Sequence, residues 1–444
     1  MRLWANLCGK IIIPASYYIK GDLRFKYFND YKKNLVKSKK EIKAYQLERL
    51  KKLVDHAYRT VPYYKKLFDR IQLRPDDIRS IEDLRKIPKL TKKSVLGNLE
   101  DLKSTGRYRL GKHFSGGSTG NSVVVYKDRR YEQLSHAIWM RDLYSVGIEP
   151  GDKSAWIWGN TYHNQSFLKK LSNTISFKLN RRIIFDVLKY TDKDIEHWLR
   201  NEFYRFKPDY IYGYAGTIYD MAKFIKEKGI KIHQIKKVIT TSERLEQREF
   251  IEDVFKCKVI DQYGSTEVTE IAIEDENYVM HSADDFVIVE VNEQNEILLT
   301  PLESYGMPLL RYGLGDIGLS KKNGGHSPYP FGEFNLMVGR VYEILRARDG
   351  TKISGGLIKQ MVEDENLPVR EFQLIQKTIH EAELNIIEDE FTRAEGVKRL
   401  KEIVKEVLGC STVNINYLAR FPCESNGKRV AFRCKIVEQS EVLP

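Results

Sequence analysis

The sequence predicts an α/β protein: a large N-terminal domain of mixed, mostly parallel sheet plus antiparallel strands, followed by a small α+β C-terminal domain. Three patterns carry this expectation. Strand-like and helix-like stretches alternate from Val123 to Asp261, the arrangement that covers a parallel sheet with helices. Beyond Glu267 the helices drop out and short β-rich runs follow one another, which reads as antiparallel sheet. The last hundred residues run strand, strand, helix, strand, after a proline- and glycine-rich stretch around Gly324 to Gly332. The junction is expected near Gly339-Arg340, dividing the 444-residue chain into 1–339 and 340–444.

In chain order, Leu3 to Tyr18 is largely apolar, but Asn6, Lys10 and Pro14 interrupt it and it is too short to span a bilayer. A helix docked on the domain is the expectation. A segment lying on a membrane surface, aided by the basic residues that follow, is the alternative. Leu47, Leu50, Leu53, Val54 and Ala57 recur at helical spacing within Glu41 to Tyr58, and Val61-Pro62 ends that helix. Short helices follow at Tyr63 to Asp69 and Ile81 to Arg85. The alternating region then reads as strands Val123 to Tyr126, Ala155 to Trp158, Tyr210 to Tyr212, Val238 to Thr241 and Lys258 to Asp261. Helices between them are expected at Arg130 to Tyr144, Asp192 to Phe206, Thr217 to Lys228 and Leu245 to Phe255. Antiparallel strands are expected at Phe286 to Val291, Glu296 to Thr300 and Leu309 to Tyr312. In the C-terminal domain, strands at 371–377, 382–387 and 413–418 flank a helix at 393–408.

Composition bounds the function. With 42% hydrophobic and 11% aromatic residues the chain has ample material for a large core and is not globally disordered. The net charge of +13 fits nucleic acid, an anionic membrane surface or polyphosphate ligands. Helical periodicity places many of the N-terminal lysines on a solvated face, which argues against nucleic acid. Cys8, Cys257, Cys410, Cys423 and Cys434 include no Cys-x-x-Cys pair, so neither a zinc site nor a disulfide framework is expected, and a reducing cytoplasm fits.

Five short motifs carry chemistry. Phe114 to Tyr126 gathers Ser115, Gly116, Gly117, Ser118, Thr119 and Gly120 ahead of a β-branched run. Glycines let backbone N–H groups converge on an anion, and the hydroxyls add donors, so the loop suits phosphates. It is neither a Walker loop nor a dinucleotide fingerprint, because no Gly-Lys-Ser/Thr ends it and a strand follows. Tyr263-Gly264-Ser265-Thr266-Glu267 follows a strand directly and offers an aromatic face, hydroxyls and a carboxylate able to hold Mg²⁺. Arg311-Tyr-Gly-Leu-Gly-Asp316 sets an aspartate between glycines, where it can accept from two ribose hydroxyls. Gly339-Arg340 stands at the junction, and Asn426-Gly-Lys428 is a turn presenting a lysine.

In this order the motifs resemble the adenylate-forming (acyl-activating) superfamily, and within it the phenylacetate–coenzyme A ligase-like branch with its capsular-polysaccharide-biosynthesis members. Val61-Pro-Tyr-Tyr-Lys and Ile81 to Lys92 also resemble that branch, so the resemblance runs from about residue 41 to the end. It implies that Ser115, Ser118 and Thr119 hold ATP phosphates and that Tyr263 lies against adenine beside Gly264. Thr266 and Glu267 would engage the α-phosphate and Mg²⁺, Asp316 the ribose, and Arg340 ribose or phosphate. Lys428, on a mobile C-terminal domain, would reach the attacking carboxylate. The acyl pocket would be drawn from Trp158, His163, Tyr212, Tyr214 and Ser242.

The implied reaction activates a carboxylic acid as its acyl-adenylate. The acyl group then passes to coenzyme A or to a glycan precursor in cell-surface assembly, in the cytoplasm or peripherally at the inner face of the membrane. Departures from the family pattern are Asn121 where many members carry a lysine, Val341-Tyr-Glu343 in place of the acidic hinge pair, and no cysteine from Ile271 to His281. The last of these predicts no structural zinc. Two alternatives are a non-enzymatic basic protein binding membrane or nucleic acid, and a nucleotide-binding family member without ligase activity.

Overall fold

A computed structural model describes residues 7–114, 123–158, 174–187, 190, 192–242, 245–320, 329–338, 344–349, 352–354, 358, 361–362, 365, 367–369, 372–387, 392–418, 421 and 432–436. These residues form two compact units. The described residues within 7–114, 123–314 and 318–335 make the first; 315–317 and the described residues from 336 onward make the second.

In the first unit β1 (Leu110–Phe114) and β2 (Val124–Asp128) pair antiparallel, with Lys112 opposite Tyr126. Five strands then build parallel sheet: β3 (Ser154–Trp158), β4 (Arg182–Asp186), β5 (Tyr210–Tyr214), β6 (Lys237–Thr241) and β7 (Val259–Ser265), in the spatial order β4-β3-β5-β6-β7. At the end of β7 the direction reverses. β8 (Thr269–Glu274) folds back antiparallel on β7, and β9 (Met280–Ser282) on β8. With β10 (Val287–Val291), β11 (Glu296–Pro301) and the first-unit parts of β12 (Tyr312–Ser320) and β13 (Glu333–Val338) these form one eleven-stranded sheet, ordered β10-β11-β12-β13-β9-β8-β7-β6-β5-β3-β4. The predicted fold class is the observed one.

Parallel strands buried on both faces need apolar side chains at successive positions, and these strands supply them. Ala155, Ile157, Ile211, Val238 and Val259 pack beneath the helices Asp192–Trp198, Ala215–Glu227 and Arg248–Phe255. Tyr210, Tyr212, Ile239 and Ile260 point the other way and meet Leu143, Val146 and Ile148 at the end of the helix Arg129–Ser145. That helix starts where Asp128 accepts from the Tyr131 N–H. The long helix Lys39–Thr60 begins at a capping box, with Ser38 and Glu41 satisfying each other's backbone N–H groups. It buries Ile42, Gln46, Leu50, Leu53, Val54 and Ala57 and stops at Val61-Pro62.

Expectation and structure differ at several places in this unit. The strand expected at Leu309 to Tyr312 begins only at Tyr312, because Arg311 takes a φ of 54° that no extended strand can hold. Its N–H goes instead to Thr300 Oγ1, and its guanidinium to Glu290 and the Ile87 carbonyl. β1, β4, β8, β9 and β13 are strands the sequence did not announce; they are short or lack a clean alternation. The helical stretch at 192–206 contains a π-helical turn at Leu199–Phe203.

A guanidinium is enclosed in this unit. Arg141 is fully buried, with Nη1 donating to both Asp285 oxygens at 3.0 Å and Nε to Asp142 Oδ1 at 2.8 Å. Asp285 also accepts from Asn34 Nδ2 at 2.8 Å, so the turn that carries Asn34 is fastened to the same anchor.

The second unit is a four-stranded sheet and a hairpin. β14 (Ile344–Arg346) and β15 (Lys352–Ser354) pair antiparallel. β16 (Phe372–Gln376), β17 (Glu381–Ile387), β18 (Thr412–Leu418) and β19 (Phe432–Cys434) are ordered β18-β17-β16-β19. The helix Ala394–Leu408 buries Val397, Leu400, Ile403, Val404 and Leu408, one stripe at helical spacing. It ends at Gly409, whose φ of 67° is the left-handed cap that glycine adopts without strain. Gln376 joins hairpin to sheet by accepting from the Arg346 N–H and donating to its carbonyl.

Replacing Asp285 with alanine leaves the Arg141 guanidinium buried against half its partners. The expected cost is about 3–5 kcal/mol in urea-unfolding free energy; a loss below about 1 kcal/mol would show that the anchor is dispensable.

Candidate active site at the carboxyl edge of the sheet

In open α/β sheets ligands bind beyond the carboxyl ends of parallel strands, because loops leave there and helices begin there. Five sequence-selected residues lie on that edge. Trp158 ends β3, Tyr214 ends β5, Ser242 follows β6, and Tyr263 and Gly264 lie near the end of β7. Ser242 holds a φ of 70°, a strained turn for a non-glycine residue directly after a strand.

Trp158 and Tyr214 pack with ring centroids 4.8 Å apart, and Trp158 stacks on Tyr212 at 5.8 Å. Tyr212 in turn meets Trp156 at 4.9 Å and Trp139 at 5.7 Å. Gly213 between the two tyrosines is required, since a Cβ there would stand 2.1 Å from the Ile157 carbonyl oxygen of the neighbouring strand. Tyr212 is a layer below the edge: its hydroxyl donates to Gln262 Oε1 at 2.9 Å, and Gln262 Nε2 donates to Glu270 Oε2 at 2.8 Å.

The turn from β7 to β8 is the most constrained part of the edge. The register shifts between Tyr263 and Gly264, and a Cβ on Gly264 would meet the Thr269 carbonyl oxygen at 2.8 Å. Ser265 Oγ accepts from the Val268 N–H at 3.0 Å. Lys127 on β2 donates from Nζ to the Thr266 carbonyl at 2.6 Å, and Tyr131 donates to the Val268 carbonyl. These ties leave Thr266 exposed and Glu267 mostly buried, with Glu267 Oε1 facing the Tyr312 hydroxyl at 3.4 Å. One carboxylate beside exposed hydroxyls suits Mg²⁺, which takes most of its ligands from water and phosphate. Among the described residues no group of three or more His, Cys, Asp or Glu is placed to hold a metal alone.

Electrostatics converge on the same turn. Burial pushes the Lys127 ammonium down to about 8, against the pull of Glu267, Glu132 and Glu270. Burial, reinforced by Asp142, pushes the Glu270 carboxyl up to about 8, while Lys127 and Arg141 pull it back. A separate small cavity, lined by Arg141, Asp142, Ser145, Glu274, His281 and Tyr329, lies between the helix Arg129–Ser145 and the strands β8 and β9.

Residues 345–433 match the family model of the CapK C-terminal domain. Protein CapK of Staphylococcus aureus is 21% identical over 96% of this chain and 95% of that protein. Phenylacetate-coenzyme A ligase of Aromatoleum evansii is 36% identical over 121 residues, 26% of this chain and 27% of the relative. A solved structure of 2-hydroxyisobutyryl-CoA ligase in the postadenylation state, in complex with R3-HIB-AMP, has a TM-score of 0.67 at 16% identity and covers 91% of both chains. The chain has the adenylate-forming fold. Its similarity to CapK and to phenylacetate–coenzyme A ligases is the resemblance that the motifs carry.

The sequence-selected residues therefore fall into three groups. Trp158, Tyr214 and Ser242 gather with Tyr263, Gly264, Thr266 and Glu267 along one sheet edge of the first unit, with Tyr212 one layer below it. Asp316 is buried on β12 within 315–317, which belong to the second unit. Ser115, Gly116, Gly117, Ser118, Thr119, Gly120, His163, Arg340 and Lys428 lie outside the described residues. Sequence reasoning passed over Lys127, Gln262, Glu270 and Tyr312. A signal existed for Lys127: Val123 and Val125 are buried, and alternation puts a lysine at the next inward position.

For Glu270 the neutral carboxyl is the form that the fold favours. Its stabilising contribution is present below the free value of 4.5 and is lost as pH rises through about 8. Glu270→Gln keeps an acceptor for Gln262 and removes the titration. The variant is expected to gain stability relative to the parent progressively from pH 4.5 to about 8, as read from urea midpoints. A pH-independent difference would contradict this.

Proposed function

We propose that this protein uses ATP and Mg²⁺ to activate a carboxylic acid as its acyl-adenylate and then transfers the acyl group to coenzyme A or to a glycan precursor. It would do so in the cytoplasm, peripherally at the inner face of the membrane where such precursors are presented. The observation that carries the reading is the Tyr263 to Glu267 turn: an exposed threonine and a mostly buried carboxylate held at the carboxyl edge of a sheet with the adenylate-forming fold.

In this reading a carboxylate oxygen of the acid bonds to the α-phosphorus, the bond from that phosphorus to the β-phosphate bridge breaks, and pyrophosphate leaves. Attack of one anion on another needs neutralisation and fixed donors. The 115–120 loop would hold the β/γ-phosphates and Tyr263, with Gly264, the adenine. Asp316 would take the ribose, and Arg340 the ribose or phosphate at the junction of domains 1–339 and 340–444. Thr266 would bind the α-phosphate, and Glu267 the Mg²⁺, which supplies positive charge to the phosphates. Lys428, inside the stretch that matches the CapK C-terminal domain, would bridge the attacking carboxylate and the α-phosphate and then withdraw with its domain. Trp158, Tyr214, Ser242 and His163 would line the acyl pocket, with Tyr212 backing it.

The test is acid-dependent pyrophosphate release with ATP, Mg²⁺ and a panel of aryl, fatty, hydroxy and amino acids, trapping the adenylate with hydroxylamine. Lys428→Ala is expected to lower the rate about 10²–10³-fold while ATP affinity stays within a few fold. Glu267→Gln is expected to lose Mg²⁺-dependent turnover. Acid-dependent release of phosphate instead of pyrophosphate, or an absence of ATP binding, would overturn the reading.

A further inference from the structure

The N-terminal helical segment is docked in an unusual sense, with apolar side chains left outside. Residues 8–19 are helical, first as a π-helical turn at Cys8–Ile12 and then as the helix Ile13–Ile19. Cys8 and Ile13 are buried, and a Cβ on Gly9 would stand 1.8 Å from the Pro150 carbonyl oxygen. That contact admits only glycine and so fixes which side of the segment faces the domain. Tyr17 completes the attachment by donating to Asn180 Oδ1 at 3.1 Å and packing on Phe25.

The opposite side carries Leu7, Ile11 and Tyr18, spaced to share one face, and Ile19, which is 87% exposed. Asn180 ends a short helical stretch at 174–179 whose Ile175 and Leu179 are also exposed and one turn apart. Six large apolar side chains therefore lie outward on two neighbouring elements, a grouping that a freely soluble surface does not need. Exposed lysines stand among them at Lys10, Lys20 and Lys178. Of the acids close by, Asp22 is paired with Arg24 at 2.6 Å and Asp152 with Lys236 at 2.6 Å, while Glu149 beside Pro150 is exposed. Between residues 7 and 43 lysine and arginine outnumber aspartate and glutamate ten to three. No described helix is long and apolar enough to cross a membrane.

We infer that this face docks on an anionic lipid bilayer, with Leu7, Ile11, Tyr18, Ile19, Ile175 and Leu179 at the level of the headgroups and the lysines on acidic lipid phosphates. The chemistry is that of an interfacial helix: apolar area supplies part of the binding and cationic side chains the rest. A second copy of the chain is a poorer occupant, because pairing this face with itself would bring like-charged lysine clusters together. The inference names the surface behind the peripheral placement proposed above, and it is tested without reference to acid activation.

The full-length protein would be sedimented with vesicles of phosphatidylcholine alone and with vesicles containing phosphatidylglycerol, at low and high salt. Binding is expected only with the anionic lipid and is expected to weaken with salt. Ile11→Asn/Ile19→Asn is expected to weaken it roughly tenfold, and Lys10→Glu/Lys20→Glu to remove its preference for anionic lipid. Because these side chains are exposed, both variants should keep the parent's circular dichroism and pyrophosphate release, so failure here is distinct from failure of the ligase reading. Absence of vesicle binding, or binding that neither variant changes, would overturn the inference. So would a concentration-dependent dimer that Ile11→Asn/Ile19→Asn abolishes without any vesicle binding.

Discussion

The turn between β7 and β8 is held on every side by backbone carbonyls that have been given partners. Lys127 takes the carbonyl of Thr266, Tyr131 that of Val268, and Ser265 the N–H of Val268. A turn that leaves the last strand of a parallel array must satisfy its own polar groups before it can reverse direction. These contacts satisfy them from β2 and from the helix that β2 leads into. Because the turn is fixed, the sheet can pass from parallel to antiparallel within four residues, and Tyr263 and Glu267 stand at the same edge as Trp158 and Tyr214. The remaining strands, β8 outward, depend on that reversal for their register.

Lys127 and Glu270 share the region behind the turn, and burial acts on both in the direction that lowers their charge. Lys127 loses basicity and Glu270 loses acidity. A proton is thus cheaper to keep on Glu270 than in water, and the Tyr212–Gln262–Glu270 chain links that carboxyl to the aromatic layer under the edge. Arg141, on the helix Arg129–Ser145, is paired with Asp142 and Asp285, and Arg141 and Asp142 also act on the Glu270 carboxyl. The buried anchor of the fold and the charged groups behind the turn therefore adjoin.

The elements with strong periodicity were legible in the sequence. The helices Lys39–Thr60, Arg129–Ser145 and Ala394–Leu408 and the parallel strands β3, β5, β6 and β7 carry their own apolar patterns, caps and stops. β4, β8 and β9 were not legible because their pairing is decided by neighbours far along the chain, not by local alternation. Arg311 reads as part of a strand until its φ of 54° and its ties to Glu290 and Thr300 are known. At the candidate site the motif residues Tyr263 to Glu267 stand out by composition, whereas Lys127, Gln262 and Tyr312 acquire meaning only through the carbonyls and carboxylates that face them.

The sequence by itself determined the fold class, the motif order and its family resemblance, because apolar spacing and glycine placement are local properties written along the chain. Tertiary structure alone decided which apolar side of the N-terminal segment is inward. Sequence offers apolar residues on both sides of it, and only the approach of Pro150 to Gly9 selects between them. It also decided that a lysine on β2 would serve a turn 139 residues away. Such pairings depend on where the sheet brings two strands together, and a single chain read in order does not contain that distance.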